Sequence, residues 1–76
     1  MTDQARAERA MNLIEGIQAQ CNRVRELIPM YESIGPTGSI AIYMMRESIS
    51  IAEQAIAGGD VIEMMRAYKD LEGYKE

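Results

Sequence analysis

The first half of the chain carries apolar side chains at regular intervals without interruption. The intervals alternate strictly between four and three residues, which is the register of an amphipathic helix and of a coiled coil. The pattern predicts one long helix whose apolar side packs against other helices. The seven positions are Ala10, Ile14, Ile17, Cys21, Val24, Ile28 and Tyr31.

Local signals set the ends of this first helix. Thr2 or Asp3 can cap its start. Pro29 removes a helical hydrogen bond and disfavours helical geometry at the residue before it, so we expect a helix over about residues 3–28 that ends or kinks there. A short helical extension over residues 29–34, with Pro29 in its first turn, is the alternative to a full stop. Gly16 lies in its middle, where glycine costs up to about 1 kcal/mol relative to alanine. That glycine is either tolerated there or lets a second backbone approach closely.

Two glycine-containing breaks separate two further helices. A Gly-Pro-Thr-Gly segment ends the first region, and the apolar period then returns over about residues 39–57. A glycine pair forms the second break. Asp60 and Glu63 follow it as a capping box, which predicts a third helix over about residues 61–72.

The second helix is apolar along two lines. One line repeats the spacing of the first helix, and the other runs through Ile40, Met44 and Ile51. A helix that is apolar on two sides has neighbours on two sides. We expect the first line to form a seam with the first helix, and the second line to contact the third helix or another copy of the chain. Because the surplus apolar surface lies mainly on this helix, we expect both the dimer contact and the partner site here. The predicted seam, which could serve the core or a dimer, comprises Ile14, Ile17, Cys21, Val24, Ile42, Met45 and Ile49.

The chain is short for the apolar surface it carries. It has 76 residues, of which 47% are hydrophobic, and chains of this size often need disulfides, metals or oligomerisation for stability. One cysteine cannot form an internal disulfide, and the lack of histidine disfavours a zinc site. We therefore predict an all-α single domain that forms a homodimeric helical bundle, with an antiparallel hairpin of the first two helices and a short third helix alongside.

Composition also argues against several classes of function. The chain has no histidine, the residue whose ordinary pKa suits it to act as a general base at neutral pH. We therefore expect neither an enzyme nor a cofactor. The net charge of −4 with no dominant basic face argues against nucleic acid as a partner. The polar N-terminus lacks the apolar centre of a signal peptide, and no apolar run approaches the ~20 residues of a membrane span. We expect a cytoplasmic protein without a membrane partner.

The methionines suggest a binding surface. Met-Met-Arg occurs twice, at 44–46 and at 64–66. Adjacent helical residues point about 100° apart, so each pair either fills gaps in a small core or lines a contact patch that adapts to partners. Tyrosine and arginine are enriched at binding hot spots, which favours the patch in the second helix. The predicted partner-binding residues are Tyr43, Met44, Arg46 and Glu47.

Two other functions stay open. Aromatic and basic side chains could form a cage that stacks a base and pairs with phosphate, so an oligomeric sponge for a cyclic nucleotide is an alternative. A helix-turn-helix DNA regulator is disfavoured because residues 60–72 carry two basic and four acidic residues. The residues available for a cage are Tyr43, Tyr68, Arg46, Arg66 and Lys69.

The segment 35–72 resembles a known protein family. Its Gly-Pro-Thr-Gly break, Met45-Arg46-Glu47, the run from Glu53 to Val61, and Met65-Arg66-Ala67-Tyr68 are similar to small early proteins of Mu-like Pseudomonas phages. The closest similarity is to helical anti-activators that inhibit quorum-sensing regulators and pilus-assembly ATPases.

The resemblance implies a helical homodimer that binds a host protein in the host cytoplasm, such as a transcriptional activator or an ATPase. The segment Tyr43–Arg46 is the nearest counterpart of the family's binding residues. Phage sponges for cyclic-nucleotide immune signals are similar in size and helix content. We therefore predict a non-catalytic inhibitor that acts by binding a protein.

Overall fold

The computed structural model describes the backbone of residues 3–75 and the side chains of residues 12–75. Over the described backbone the chain forms three α-helices and no strand, which confirms the all-α prediction. The helices are α1 (Asp3–Glu32), α2 (Ser39–Gly58) and α3 (Val61–Glu72), and a short 3₁₀ turn (Pro36–Gly38) precedes α2. Each helix packs against the other two.

The first helix is longer than the sequence predicted. Its end was expected near residue 28, but α1 continues to Glu32 with Pro29 inside it. Pro29 is exposed, and its carbonyl accepts a hydrogen bond from the Ser33 amide at 3.1 Å. Ile28 before the proline is buried, and Tyr31 after it packs against the core. Packing on both sides of the proline therefore offsets the one helical hydrogen bond that its ring removes.

Three glycines shape the two breaks. Gly35 and Gly59 have φ angles of 92° and 72°, in the left-handed region that glycine adopts without strain. Gly38 is required for a different reason, since a Cβ atom at this position would lie 2.3 Å from the carbonyl oxygen of Tyr31. The start of α2 is thus pressed directly against the last turn of α1.

A single core joins all three helices. Ile17 and Val24 of α1 have no exposed surface, and α2 and α3 each contribute a row of buried residues. Of the seven predicted seam residues, five are buried and two pack against the core from its edge, so all seven contribute within one chain. Ala10, the first position of the sequence pattern, lies outside the described side chains. The buried seam residues are Ile17, Cys21, Val24, Met45 and Ile49, and the two at the edge are Ile14 and Ile42.

Gly16 allows a close contact between α1 and α3. A Cβ atom at Gly16 would lie 3.2 Å from Cε2 of Tyr68. The close approach considered from the sequence therefore occurs, but the neighbour is an aromatic ring rather than a second backbone. The ring of Tyr68 lies against α1 at this point.

Side chains of α1 and α2 hold the end of α3. The Arg23 guanidinium donates to the carbonyl oxygens of Leu71 and Tyr74 at 2.8 and 2.7 Å. The last carbonyls of a helix lack helical partners and carry partial negative charge, so a cation is well placed here. The Tyr74 hydroxyl lies 2.9 Å from that of Ser48, which is buried. We call this set of contacts the C-terminal clamp.

Candidate interaction surface

The outer side of α2 exposes large apolar side chains. Ile40 and Tyr43 are 75% and 70% exposed, and Met44 and Ile51 extend the same side toward the end of the helix. All four predicted partner-binding residues lie at the surface. We define the α2 face as Ile40, Tyr43, Met44, Arg46, Glu47 and Ile51.

The start of α2 borders an open groove of about 570 Å³. The ring of Tyr43 and the guanidinium of Arg46 line it together with the glycine-containing break. The first turn of α2 has neither a side-chain cap nor an acidic residue. The Ser39 amide donates to the Pro36 carbonyl oxygen of the preceding 3₁₀ turn, and the helix dipole leaves partial positive charge at this end of α2. The Glu32 carboxylate supplies negative charge on the same lining.

Arg46 differs from the other described arginines of the surface. Arg66 forms an ion pair with Glu63 at 3.1 Å, and Arg25 pairs with Glu53. Among residues 12–75, Arg46 makes no ion pair or side-chain hydrogen bond. Its guanidinium is thus available for an external acidic group.

A second groove of about 610 Å³ lies between α1 and α3. Its lining is mainly apolar, with Leu13 from α1 and Ile62, Met65 and Tyr68 from α3. We call it the α1–α3 groove. This groove was not predicted from the sequence. The available signal was the three-residue spacing of Ile62 and Met65, which places both on one side of α3 outside its core positions.

The residues considered for a nucleotide cage do not share one site within a chain. Tyr43 and Arg46 line the groove at the start of α2. Tyr68, Arg66 and Lys69 line the α1–α3 groove instead. A cage built from one chain therefore has either the first pair or the second set of three, and never all five residues.

The α3 capping signal acts in part as the sequence predicted. The Asp60 carboxylate accepts hydrogen bonds from the amides of Ile62 and Glu63 at 2.9 and 3.3 Å. The Glu63 side chain pairs with Arg66 rather than with the Asp60 amide. One half of the capping box thus fixes the start of α3.

The single thiol is buried between α1 and α2. Burial raises the pKa of Cys21 above its ordinary value of 9.0, the nearby Arg25 cation opposes this, and the Glu53 carboxylate adds to it. The thiol therefore stays protonated at neutral pH, where the thiolate is the reactive form. No group of three potential metal ligands is found among the described residues.

None of the helices in the described region combines the length and the apolar character needed to cross a membrane. Comparison of the chain with protein-family models, with curated proteins and with solved structures finds no match.

Proposed function

We propose that this protein is a non-catalytic binding module, active as a homodimeric helical bundle, that inhibits a larger protein by covering one of its surfaces with the α2 face. The exposure of Ile40, Tyr43 and Met44 side by side on one helix supports this function most directly. Contiguous apolar patches on soluble proteins commonly mark interaction sites. Tyrosine and arginine supply much of the energy at such sites.

The composition of the α2 face also indicates the chemistry of the partner surface that would fit it. The side chains of Ile40 and Tyr43 fit an apolar depression, and the exposed Arg46 guanidinium fits an acidic residue at its edge. Glu47 would stay at the rim of the contact. The resemblance of residues 35–72 to phage anti-activators suggests that the partner is a host transcriptional activator or an ATPase in the host cytoplasm.

Affinity capture from bacterial lysate with the immobilised protein tests this function. We expect a specific captured protein, and a loss of about 2 kcal/mol of binding energy, roughly 30-fold, on Tyr43→Ala or Met44→Ala. Met30→Ala is the matched control, because Met30 is a similarly exposed methionine outside the α2 face. Circular dichroism should show that all three variants fold.

Unchanged capture by a folded Tyr43→Ala variant would refute the α2 face as the binding site. Equal losses on Met44→Ala and Met30→Ala would instead indicate a non-specific apolar contact.

Sequestration of a cyclic nucleotide is a second candidate, supported by the groove at the start of α2. The Tyr43 ring can stack on a base, while Arg46 and the uncapped helix start can bind phosphate. A thermal-shift panel of cyclic mono- and dinucleotides tests it. Saturation at 100 times the dissociation constant should add about 2.7 kcal/mol of stability. Arg46→Ala should abolish the shift and Arg66→Ala should retain it, whereas the absence of any shift with wild-type protein removes this candidate.

A further inference from the structure

Residues 73–75 follow α3 and contact the other two helices without forming a helix or a strand of their own. Gly73 and Lys75 are exposed, whereas Tyr74 is half-buried and packs against the core. The side chain of Tyr74 is thus the part of this segment that the fold encloses. We call residues 73–75 the strap.

Among the described residues, three hydrogen bonds join the strap to α1 and α2. The Arg23 guanidinium donates to the Tyr74 carbonyl oxygen at 2.7 Å. The Tyr31 hydroxyl donates to the Lys75 carbonyl oxygen, also at 2.7 Å. The Tyr74 hydroxyl lies 2.9 Å from the hydroxyl of Ser48. These contacts select one tyrosine side chain and two consecutive backbone carbonyls.

The strap can open while α3 stays in place. Leu71, whose carbonyl oxygen also accepts from Arg23, has no exposed surface and anchors the end of α3 in the core. Arg23 would keep this bond and its bond to the Gln20 side chain at 2.9 Å. Segments with few buried contacts open at a lower free energy than the core does, and in the strap the Tyr74 side chain makes the core contact.

Opening the strap would leave a site with defined chemistry. One N–H group of Arg23 and the hydroxyls of Tyr31 and Ser48 would lose their partners in the strap. The position of the Tyr74 ring beside the buried Ser48 would be vacated. A second peptide that carries a tyrosine offers the same ring, the same hydroxyl and the same two carbonyls.

We propose that the strap is an internal ligand, which occupies a binding site for a tyrosine-containing peptide segment of another protein and excludes that segment until it opens. The residue after the tyrosine is unrestricted, because the Tyr31 hydroxyl bonds to a backbone carbonyl there, a group that every residue carries. The strap contacts use no residue of the α2 face, so this inference does not depend on the proposed function.

A titration with the blocked peptide acetyl-Glu-Gly-Tyr-Lys-amide, which has the sequence of residues 72–75, tests the site. We expect Tyr74→Ala to bind the peptide, with NMR shifts at Arg23, Tyr31 and Ser48. Wild type should bind it at least about tenfold more weakly, because the strap reduces the fraction of open sites. Tyr43→Ala is the matched control, since it removes an exposed tyrosine outside the strap, and it should behave like wild type.

Two changes test which groups the site recognises. A peptide with alanine in place of its tyrosine should not bind Tyr74→Ala, because it lacks the ring. Adding Tyr31→Phe to Tyr74→Ala should weaken binding of the tyrosine peptide roughly fivefold, the usual worth of one hydrogen bond. Circular dichroism should show that these variants fold.

A measurement on wild type does not depend on how the variants fold. An excess of the tyrosine peptide should displace the strap, so the NMR signals of the Tyr74 ring should move toward those of an unfolded chain. The alanine peptide at the same concentration should leave them in place.

Several outcomes would overturn the internal ligand. They are the absence of binding to folded Tyr74→Ala, equal affinity for wild type and Tyr74→Ala, and equal binding of the tyrosine and alanine peptides. If Tyr74→Ala does not fold, Tyr74 ring signals that stay in place in wild type at excess tyrosine peptide overturn it. Capture of a partner through Tyr43 can succeed in every case, so the binding function is judged separately.

Discussion

The two Met-Met-Arg segments have the same sequence and opposite orientations. In α2 the second methionine is buried, with Met45 at 0% and Met44 at 52% exposure. In α3 the first is buried, with Met64 at 1% and Met65 at 57% exposure. The tripeptide therefore does not decide which methionine enters the core.

The apolar repeat around each segment makes that decision. Met45 falls in register with Ile49 and Ala52, which are buried. Met64 falls in register with Ala67 and Leu71, which are buried as well. Adjacent helical residues point about 100° apart. In each pair the methionine that does not enter the core therefore points toward solvent. One exposed methionine per helix is the result, Met44 on α2 and Met65 on α3.

The largest expected effect tests this difference in burial directly. Met45→Ala and Met64→Ala should each lower the free energy of unfolding by about 2–5 kcal/mol, because both leave a cavity in the core. Urea unfolding followed by circular dichroism measures the change. Met44→Ala should change it by no more than about 0.5 kcal/mol. If Met44→Ala and Met45→Ala were equally destabilising, the burial assigned to the segment in α2 would be wrong.

A second prediction concerns how the shorter helix is held. The 12-residue α3 depends on the C-terminal clamp, whereas α2 has 20 residues. Arg23→Met should destabilise the protein by about 1.5–3 kcal/mol, the usual worth of hydrogen bonds to charged groups. Hydrogen exchange should accelerate in α3 more than in α2.

Arg25→Met is the matched control for the clamp. Its ion pair with Glu53 is exposed on both sides, and such pairs contribute about 0–1 kcal/mol. Equal destabilisation by Arg23→Met and Arg25→Met would argue that the clamp adds nothing specific to α3.

The prediction with the smallest expected effect is a pH dependence of the folding stability that arises from Cys21, at the contact between α1 and α2. Because the pKa of Cys21 is raised in the folded state, the folded protein holds its proton more tightly than the unfolded chain does. The resulting stabilisation is fully present below about pH 9 and is lost as the pH rises through the folded value. Chemical unfolding at pH 8 and pH 10 should show a smaller loss for Cys21→Ala than for wild type. An identical loss would show that the thiol is not the group responsible.

Local signals in the sequence predicted most of the fold. The bounds of α3 match the prediction because Asp60 caps its start as expected, and α2 ends one residue beyond its predicted end. The end of α1 was missed because tertiary packing around Pro29 outweighs its local preference. The contact patch predicted on the second helix requires Tyr43 and Arg46 to be accessible, and both lie at the surface.

Features that join distant parts of the chain were not predictable. The clamp joins Arg23 to residues 48 and 51 positions away. The α1–α3 groove depends on how Tyr68 settles against Gly16. The apolar period of one helix does not indicate which distant residue lies beside it. Both features are therefore visible only in the packed structure.

The tight contact between Gly38 and the Tyr31 carbonyl has a consequence for mutational tolerance. Even the single methyl group of alanine would displace the turn that begins α2 and with it the α2 face. Gly58 has open space around the position of a Cβ atom. In a saturation library selected for binding, position 38 should therefore retain only glycine, while position 58 should accept many residues.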